Sequence, residues 1–151
     1  MYSIGNVKKV NQDEILLIQS LVDFILPQDF LSFLTEYGYG EINDILLFRR
    51  PDENYVKNNF SEYMDLWDWT NEAQKEKALN GLTIATTVDG DIICCVKDND
   101  FPYLILPRHS QKLVFINEFP HLLSHYINES KSEDIYFDSY YNSSLFFQSV
   151  V

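Results

Sequence analysis

The sequence predicts an α+β domain in which a twisted, largely antiparallel sheet packs against helices. Three observations carry that prediction. In the stretch LPQDFLSFLTEYGYG, from Leu26 to Gly40, the apolar residues Leu26, Phe30, Leu31, Phe33, Leu34 and Tyr37 recur at three- and four-residue spacing, which gives a short helix one buried face. Further along, LTIATTV and DIICCVK flank Asp89-Gly90, a dipeptide that favours a two-residue hairpin turn. Short apolar runs of strand length, such as ILLF and YLIL, stand between turn residues elsewhere in the chain.

Taken in order, Asn11 to Ile25 is expected as the first helix, with Ile15, Ile18, Leu21, Val22 and Ile25 facing the core. Asn11 followed by Glu14 approximates a capping box in which Asn replaces Ser or Thr. The helix of the Leu26–Gly40 stretch follows almost at once. Pro27 is tolerated in its first turn, where the missing N–H leaves no bond unmade. Gly38 can close the helix in the left-handed conformation, and Gly40 leaves the backbone free to turn. Ile42 to Arg49 is expected as the first strand, followed by a turn at Pro51–Asn54. A helical region then runs from about Tyr55 to Leu79, with Val56, Phe60, Tyr63, Met64 and Trp67 on one face. It has a natural break near Thr70-Asn71, where Asn71 suits a new N-cap.

The hairpin comes next, with Gly90 expected at positive φ. Its second strand is apolar on both faces, Ile92, Cys94 and Val96 against Ile93 and Cys95, so it should lie centrally with cover on both sides. Tyr103 to Leu106 is a further strand ended by Pro107, and Lys112 to Ile116 another. Asn117 is expected to cap a last helix, with Pro120 in its first turn and Phe119, Leu122, Leu123, Tyr126 and Ile127 turned inward. After Glu129 the polar cluster to Asp134 reads as a loop, and the aromatic tail IYFDSYYNSSLFFQSVV as one or two edge strands.

The Leu26–Gly40 stretch resembles the opening signature of the SUKH superfamily: Leu-Pro, an acidic residue, an aromatic, apolar residues, a Tyr or Asn, then Gly. Pro27, Asp29, Phe30, Phe33, Leu34, Tyr37 and Gly38 occupy the matching positions. Leu82 to Val96, with Gly90-Asp91 at its centre, resembles the family's Gly-Asp or Gly-Asn hairpin. The resemblance runs from about Asp13 to about Glu129. It implies a SUKH-like fold. It also implies a protein-binding role, either that of the bacterial immunity proteins, which neutralise toxins deployed between competing cells, or that of the yeast cell-wall synthesis regulators.

At 151 residues the chain fits one domain, 1–151, with enough interior to need no staple. Lys and Arg number 11 against 23 Asp and Glu, a formal net charge of −12. Such a charge disfavours duplex DNA or an anionic membrane and suits a basic protein partner, although an acidic surface also serves solubility alone. No apolar run approaches a membrane span, and the N-terminal MYSIGNVKKV lacks the apolar region of a signal peptide, so cytoplasmic residence is expected. Cys94 and Cys95 are adjacent, point to opposite faces of a strand, and read as small buried residues in a reducing compartment.

Enzymatic chemistry finds little support. No Gly-x-Ser-x-Gly elbow and no phosphate-binding Gly loop occurs. Carboxylate pairs such as Glu62 and Asp65 are common on acidic helices. His121 and His125 share a helix face at a metal-compatible spacing but lack a third ligand of obvious spacing, and read as a solvated polar face. No cofactor is implied. More telling are Trp67 and Trp69, which on a continuous helix point nearly opposite ways. Trp67 then joins the buried stripe and Trp69 stands out among acids, unless the helix kinks at Asp68–Thr70 or the tail covers it. By the SUKH resemblance the expected function is that of an immunity protein, with a regulatory or scaffolding module like the yeast relatives as the alternative. Glu62, Asp65, Asp68 and Glu72 would form an acidic binding surface for a basic cognate toxin, with Trp69 as its aromatic anchor.

Overall fold

The computed structural model describes residues 2–4, 9–127 and 135–139. Asn11 opens α1 (Gln12–Ser20) as expected: its Oδ1 accepts from the Glu14 N–H at 2.9 Å. The helix is shorter than its apolar pattern suggests. After Ser20 the chain turns, and the Gln19 side chain holds the turn at both ends, donating to the Phe24 carbonyl and accepting from the Leu26 N–H. Ile15 and Ile18 are buried as expected, but Leu21 and Ile25, beyond the helix end, face solvent, Ile25 at 92% exposure.

Pro27 serves as the extended N-cap of α2 (Gln28–Glu36), one position before the first turn. Phe30, Phe33 and Leu34 are buried and Tyr37 half-buried, and Gly38 takes φ +84 just past the helix. This is the organising helix that the periodicity predicts. Phe33 sits at its middle, with ring centroids of Phe48, Phe119 and Phe137 at 4.9, 5.0 and 5.9 Å.

The expected first strand is two. β2 (Gly40–Ile42) and β3 (Leu46–Asp52) are antiparallel neighbours joined through Asn43 and Asp44, both at positive φ. Asn and Asp tolerate that conformation better than other side chains, so this is the turn with two left-handed residues. Gly40 lies inside β2, and its bareness answers a packing need: a Cβ there would overlap the Asp138 carbonyl and the Phe137 ring.

The long helical region breaks into α3 (Tyr55–Phe60), a 3-10 turn (Met64–Leu66) and α4 (Glu72–Leu79), which Asn71 caps through the Gln74 N–H. β4 (Leu82–Thr87) and β5 (Ile92–Cys95) form the hairpin. Gly90 has φ +95 as expected, but the turn falls one residue early. The Gly90 N–H bonds the Thr87 carbonyl and the Thr87 N–H bonds the Asp91 carbonyl, so Val88 and Asp89 make the turn and Gly90 is the left-handed residue after it. β6 (Tyr103–Leu106), β7 (Val114–Ile116) and α5 (Phe119–Tyr126) complete the central part.

The described strands form one sheet in the order β1-β8-β2-β3-β4-β5-β6-β7, where β1 is Tyr2–Ile4 and β8 is Ile135–Ser139. All neighbours are antiparallel except β1 and β8. Part of the tail, expected at an edge, thus lies inside the sheet between β1 and β2. The remainder of the tail and the expected 130–134 loop fall outside the described residues. Residues alternate between two cores. Phe30, Phe33 and Leu34 of α2, Ile15 and Ile18 of α1, and Phe119 and Leu122 of α5 meet Ile93, Cys95, Tyr103 and Ile105 on one face. Val56, Met64, Trp67 and Ala78 meet Ile92, Cys94, Leu104 and Leu106 on the other. β5 is therefore central and covered on both sides, with Cys94 and Cys95 buried on opposite faces, as its two apolar faces require. Burial pushes the Cys94 thiol up to about 12. The chain is a single α+β domain with helices on both faces of a largely antiparallel sheet.

Asp29 ties three of these elements together. Its Oδ1 accepts from the Phe30 N–H and from the hydroxyl of Tyr103, a fully buried β6 residue, and its Oδ2 accepts from the Phe119 N–H at the start of α5. The α5 cap is thus not the expected Asn117, whose side chain meets His121 instead. Asp29→Ala strips the partner from a buried hydroxyl and from an orphan helix N–H. Since Asp29 itself is reached by water, the expected loss is ~1–3 kcal/mol. Urea unfolding measures it, with Tyr103→Phe expected to cost less because it removes donor and need together.

Candidate functional site

The acidic candidates lie on the segment that links α3 to α4, and its backbone path decides what each side chain does. Trp67 ends the 3-10 turn in an extended conformation, φ −108 and ψ 152. The Asp68 N–H then bonds the Gln111 carbonyl at 2.9 Å, which fastens the segment to the loop between β6 and β7. Thr70 N–H donates to the Gln74 side chain while Gln74 N–H donates to Asn71, a reciprocal pair that starts α4.

This path corrects the placement of the tryptophans. They share no helix, so the opposed orientation does not arise. Trp67 is buried and donates its indole N–H to the Pro107 carbonyl at 2.8 Å. Trp69 is half-buried, donates to the Met64 carbonyl at 2.6 Å, and stands edge-on to Trp67 with centroids 6.4 Å apart. Both indoles brace the segment against the second core, and the helix ends at Phe60, well before the kink expected at Asp68–Thr70. Tyr63, expected in the buried stripe, is 55% exposed, and Leu66 is 57% exposed.

Glu62, Asp65, Asp68 and Glu72 are all exposed. Lys75 draws two of them together, its Nζ 2.8 Å from Asp65 and 3.9 Å from Glu72. The Asp65 hydrogen bond, ahead of the added pull of nearby acids, raises the Lys75 ammonium above its ordinary value and keeps it charged. Among the described residues Glu62 and Asp68 pair with no lysine or arginine. The result is an apolar centre, Tyr63 and Leu66, on a segment whose two uncompensated charges are acidic. Sequence spacing missed Tyr63 because a continuous helix placed it inward. Asn58, Asn59 and Ser61, whose side chains compete with the helix backbone for hydrogen bonds, are the signal that could have revealed the break.

Other acids are spent internally. Asp91 accepts from the Arg108 N–H and from the Tyr126 hydroxyl. Asp98 accepts from the Asp100 and Phe101 N–H groups and from Lys77 at 3.1 Å, which fastens α4 to the loop after β5. The Phe101 N–H foremost holds its carboxyl below the ordinary aspartate value. His121 and His125 are exposed, and among the described residues no group of three or more His, Cys, Asp or Glu side chains is arranged to hold a metal ion. No described helix is long and apolar enough to cross a membrane. Comparison with protein-family models, characterised proteins and solved structures finds no match to the chain.

Two outcomes follow from these placements. Trp69→Ala should destabilise the domain by ~2 kcal/mol through lost burial, whereas Tyr63→Ala should change stability by less than ~0.5 kcal/mol, both read by urea unfolding. Because the folded Asp98 carboxyl titrates below the unfolded one, its contribution is present above the unfolded value and lost as pH falls through the folded value. Asp98→Asn should therefore be less stable than the parent at pH 7, with the gap closing as acid protonates Asp98. A gap independent of pH would contradict that origin.

Proposed function

We infer that this chain is an immunity protein, a stoichiometric inhibitor that binds and neutralises a cognate toxin domain. The observation that carries this reading is the linker surface. There Tyr63 and Leu66 are exposed among Glu62, Asp65, Asp68 and Glu72, in a chain of net charge −12. An exposed aromatic ringed by charge is the composition of a binding hot spot, and the acids suit a basic partner. The SUKH-like signature around Asp29 supports the same reading. Trp69, braced on Met64, would support this surface from behind, and Tyr63 would take the anchor's place. The mechanism is physical obstruction of the toxin and needs no cofactor.

The test is kinetic. A toxin domain encoded beside this chain is the candidate partner, and its binding is followed by surface plasmon resonance and by protection of cells that express it. Glu62→Lys with Asp68→Lys should slow association about tenfold and flatten its salt dependence. Tyr63→Ala should leave association unchanged and speed release, a loss of ~2 kcal/mol or more. Variants that bind and protect like the parent would place the interface elsewhere.

A further inference from the structure

Beside α1 the β3–β4 ladder splays. Phe48 pairs with Ala85 and Asp52 with Thr83, so Arg49, Arg50 and Pro51 stand against Ile84 alone. An open cleft of about 490 Å³ occupies this place. Leu17, Leu21, Leu47 and Thr86 line it together with Asp52 and Glu53. Leu17 is 55% exposed, although Ile15 to Val22 carries no charge that would explain an outward face.

The charges of the cleft are unevenly met. Arg50 lies 3.7 Å from Glu14, and Arg49 acts on Glu41, lowering its proton affinity against a larger push upward from burial. Asp52 and Glu53 accept from Asn54, by its N–H and its side-chain amide, and among the described residues neither pairs with a lysine or arginine. Two arginines and two acids line the cleft, and it is the acids, Asp52 and Glu53, that have no lysine or arginine at ion-pair distance among the described residues, in a lining that also holds two exposed leucines.

We propose that this cleft docks a segment of a protein partner in which a bulky apolar side chain neighbours a basic one. The apolar group packs on Leu17 and Leu21, and a Lys or Arg stem crosses the cleft to set its cation against Asp52 and Glu53. A second copy of this chain is a poorer occupant, since two molecules of net charge −12 repel and would bring like charge to these acids. The cleft shares no residue with the Glu62–Glu72 surface, so the inference goes beyond the toxin-binding reading and is decided separately from it.

The experiment titrates the ¹⁵N-labelled full chain with a short synthetic Leu/Lys peptide, with Leu/Glu and Ser/Lys peptides as controls. Expected are amide shifts centred on Leu17, Leu21, Asp52, Glu53 and Thr86, and no such shifts with either control. Leu17→Ser with Leu21→Ser should weaken binding about tenfold or more, and Asp52→Asn with Glu53→Gln several-fold with a flatter salt dependence. All four side chains lie at the surface of the cleft, and urea unfolding checks that the variants keep their fold. Absence of binding, shifts confined to Glu62–Glu72, or affinity indifferent to the leucine changes would overturn the proposal. So would sedimentation showing a parent dimer that the leucine variant dissociates, which would make a second copy the occupant.

Discussion

The carboxylate of Asp29 is the constraint on which one whole face of the molecule depends. It sits in the first turn of α2, caps the start of α5 through Phe119 N–H, and satisfies a hydroxyl buried in β6. Two helix N-termini, each with orphan donors and a partial positive charge, thus share one anion. The shared anion also raises the Tyr103 phenol well above its ordinary value, second only to burial, so the tyrosine stays a donor. With α2 and α5 fixed relative to β6, Phe33 one turn further on is delivered to Phe48, Phe119 and Phe137 at once. A polar contact sets the geometry, and the aromatic cluster supplies the larger burial energy behind it.

The opposite face is built by another device. Among the described residues no long amphipathic helix covers it; α3 has six residues and α4 eight, too short to be stable alone. Their connection is held by indole N–H groups on backbone carbonyls, Trp67 on Pro107 and Trp69 on Met64, and by Asp68 N–H on Gln111. The Pro107 and Gln111 carbonyls lie on irregular backbone without a helical partner, whereas the Met64 carbonyl also accepts the Trp67 N–H that closes the 3-10 turn. The inward commitment of both tryptophans leaves the intervening Tyr63 and Leu66 outside. An exposed apolar centre here is a consequence of how the linker is anchored.

Where one physical signal dominated, the sequence was legible. The three- and four-residue spacing of Phe30, Phe33, Leu34 and Tyr37, the αL-permissive Gly38 and Gly90, the two-faced apolar run of β5 and the Asn11 and Asn71 caps each depend on neighbours close in the chain. What escaped depends on distant partners. β8 lies between β1 and β2 through pairings more than ninety residues apart in sequence, and nothing in its aromatic run distinguishes an edge from an interior strand. Gly40 reads as a turn glycine until β8 is seen to press on it. The acidic residues of the candidate surface were visible as charge, but their spacing was interpreted on a helix that stops at Phe60. The exchange of Trp69 for Tyr63 at the surface follows from that single break.

Net charge, finally, is a poor guide to surface until the internal acids are subtracted. Asp29, Asp91 and Asp98 spend their oxygens on buried or backbone donors, and Glu14 is shared between Tyr39 and Arg50. These carboxylates are as much structural members as the aromatic rings they orient. Among the described residues Glu62 and Asp68 on the linker, and Asp52 and Glu53 at the cleft, pair with no lysine or arginine, although Asp52 also accepts the Asn54 N–H, and each pair stands near exposed apolar side chains. Acid placed for solubility alone has no need of apolar neighbours, because desolvating it against them costs energy that only an arriving cation returns. That pairing of unspent charge with unburied carbon, more than the total of −12, is what sets these two places apart on the surface.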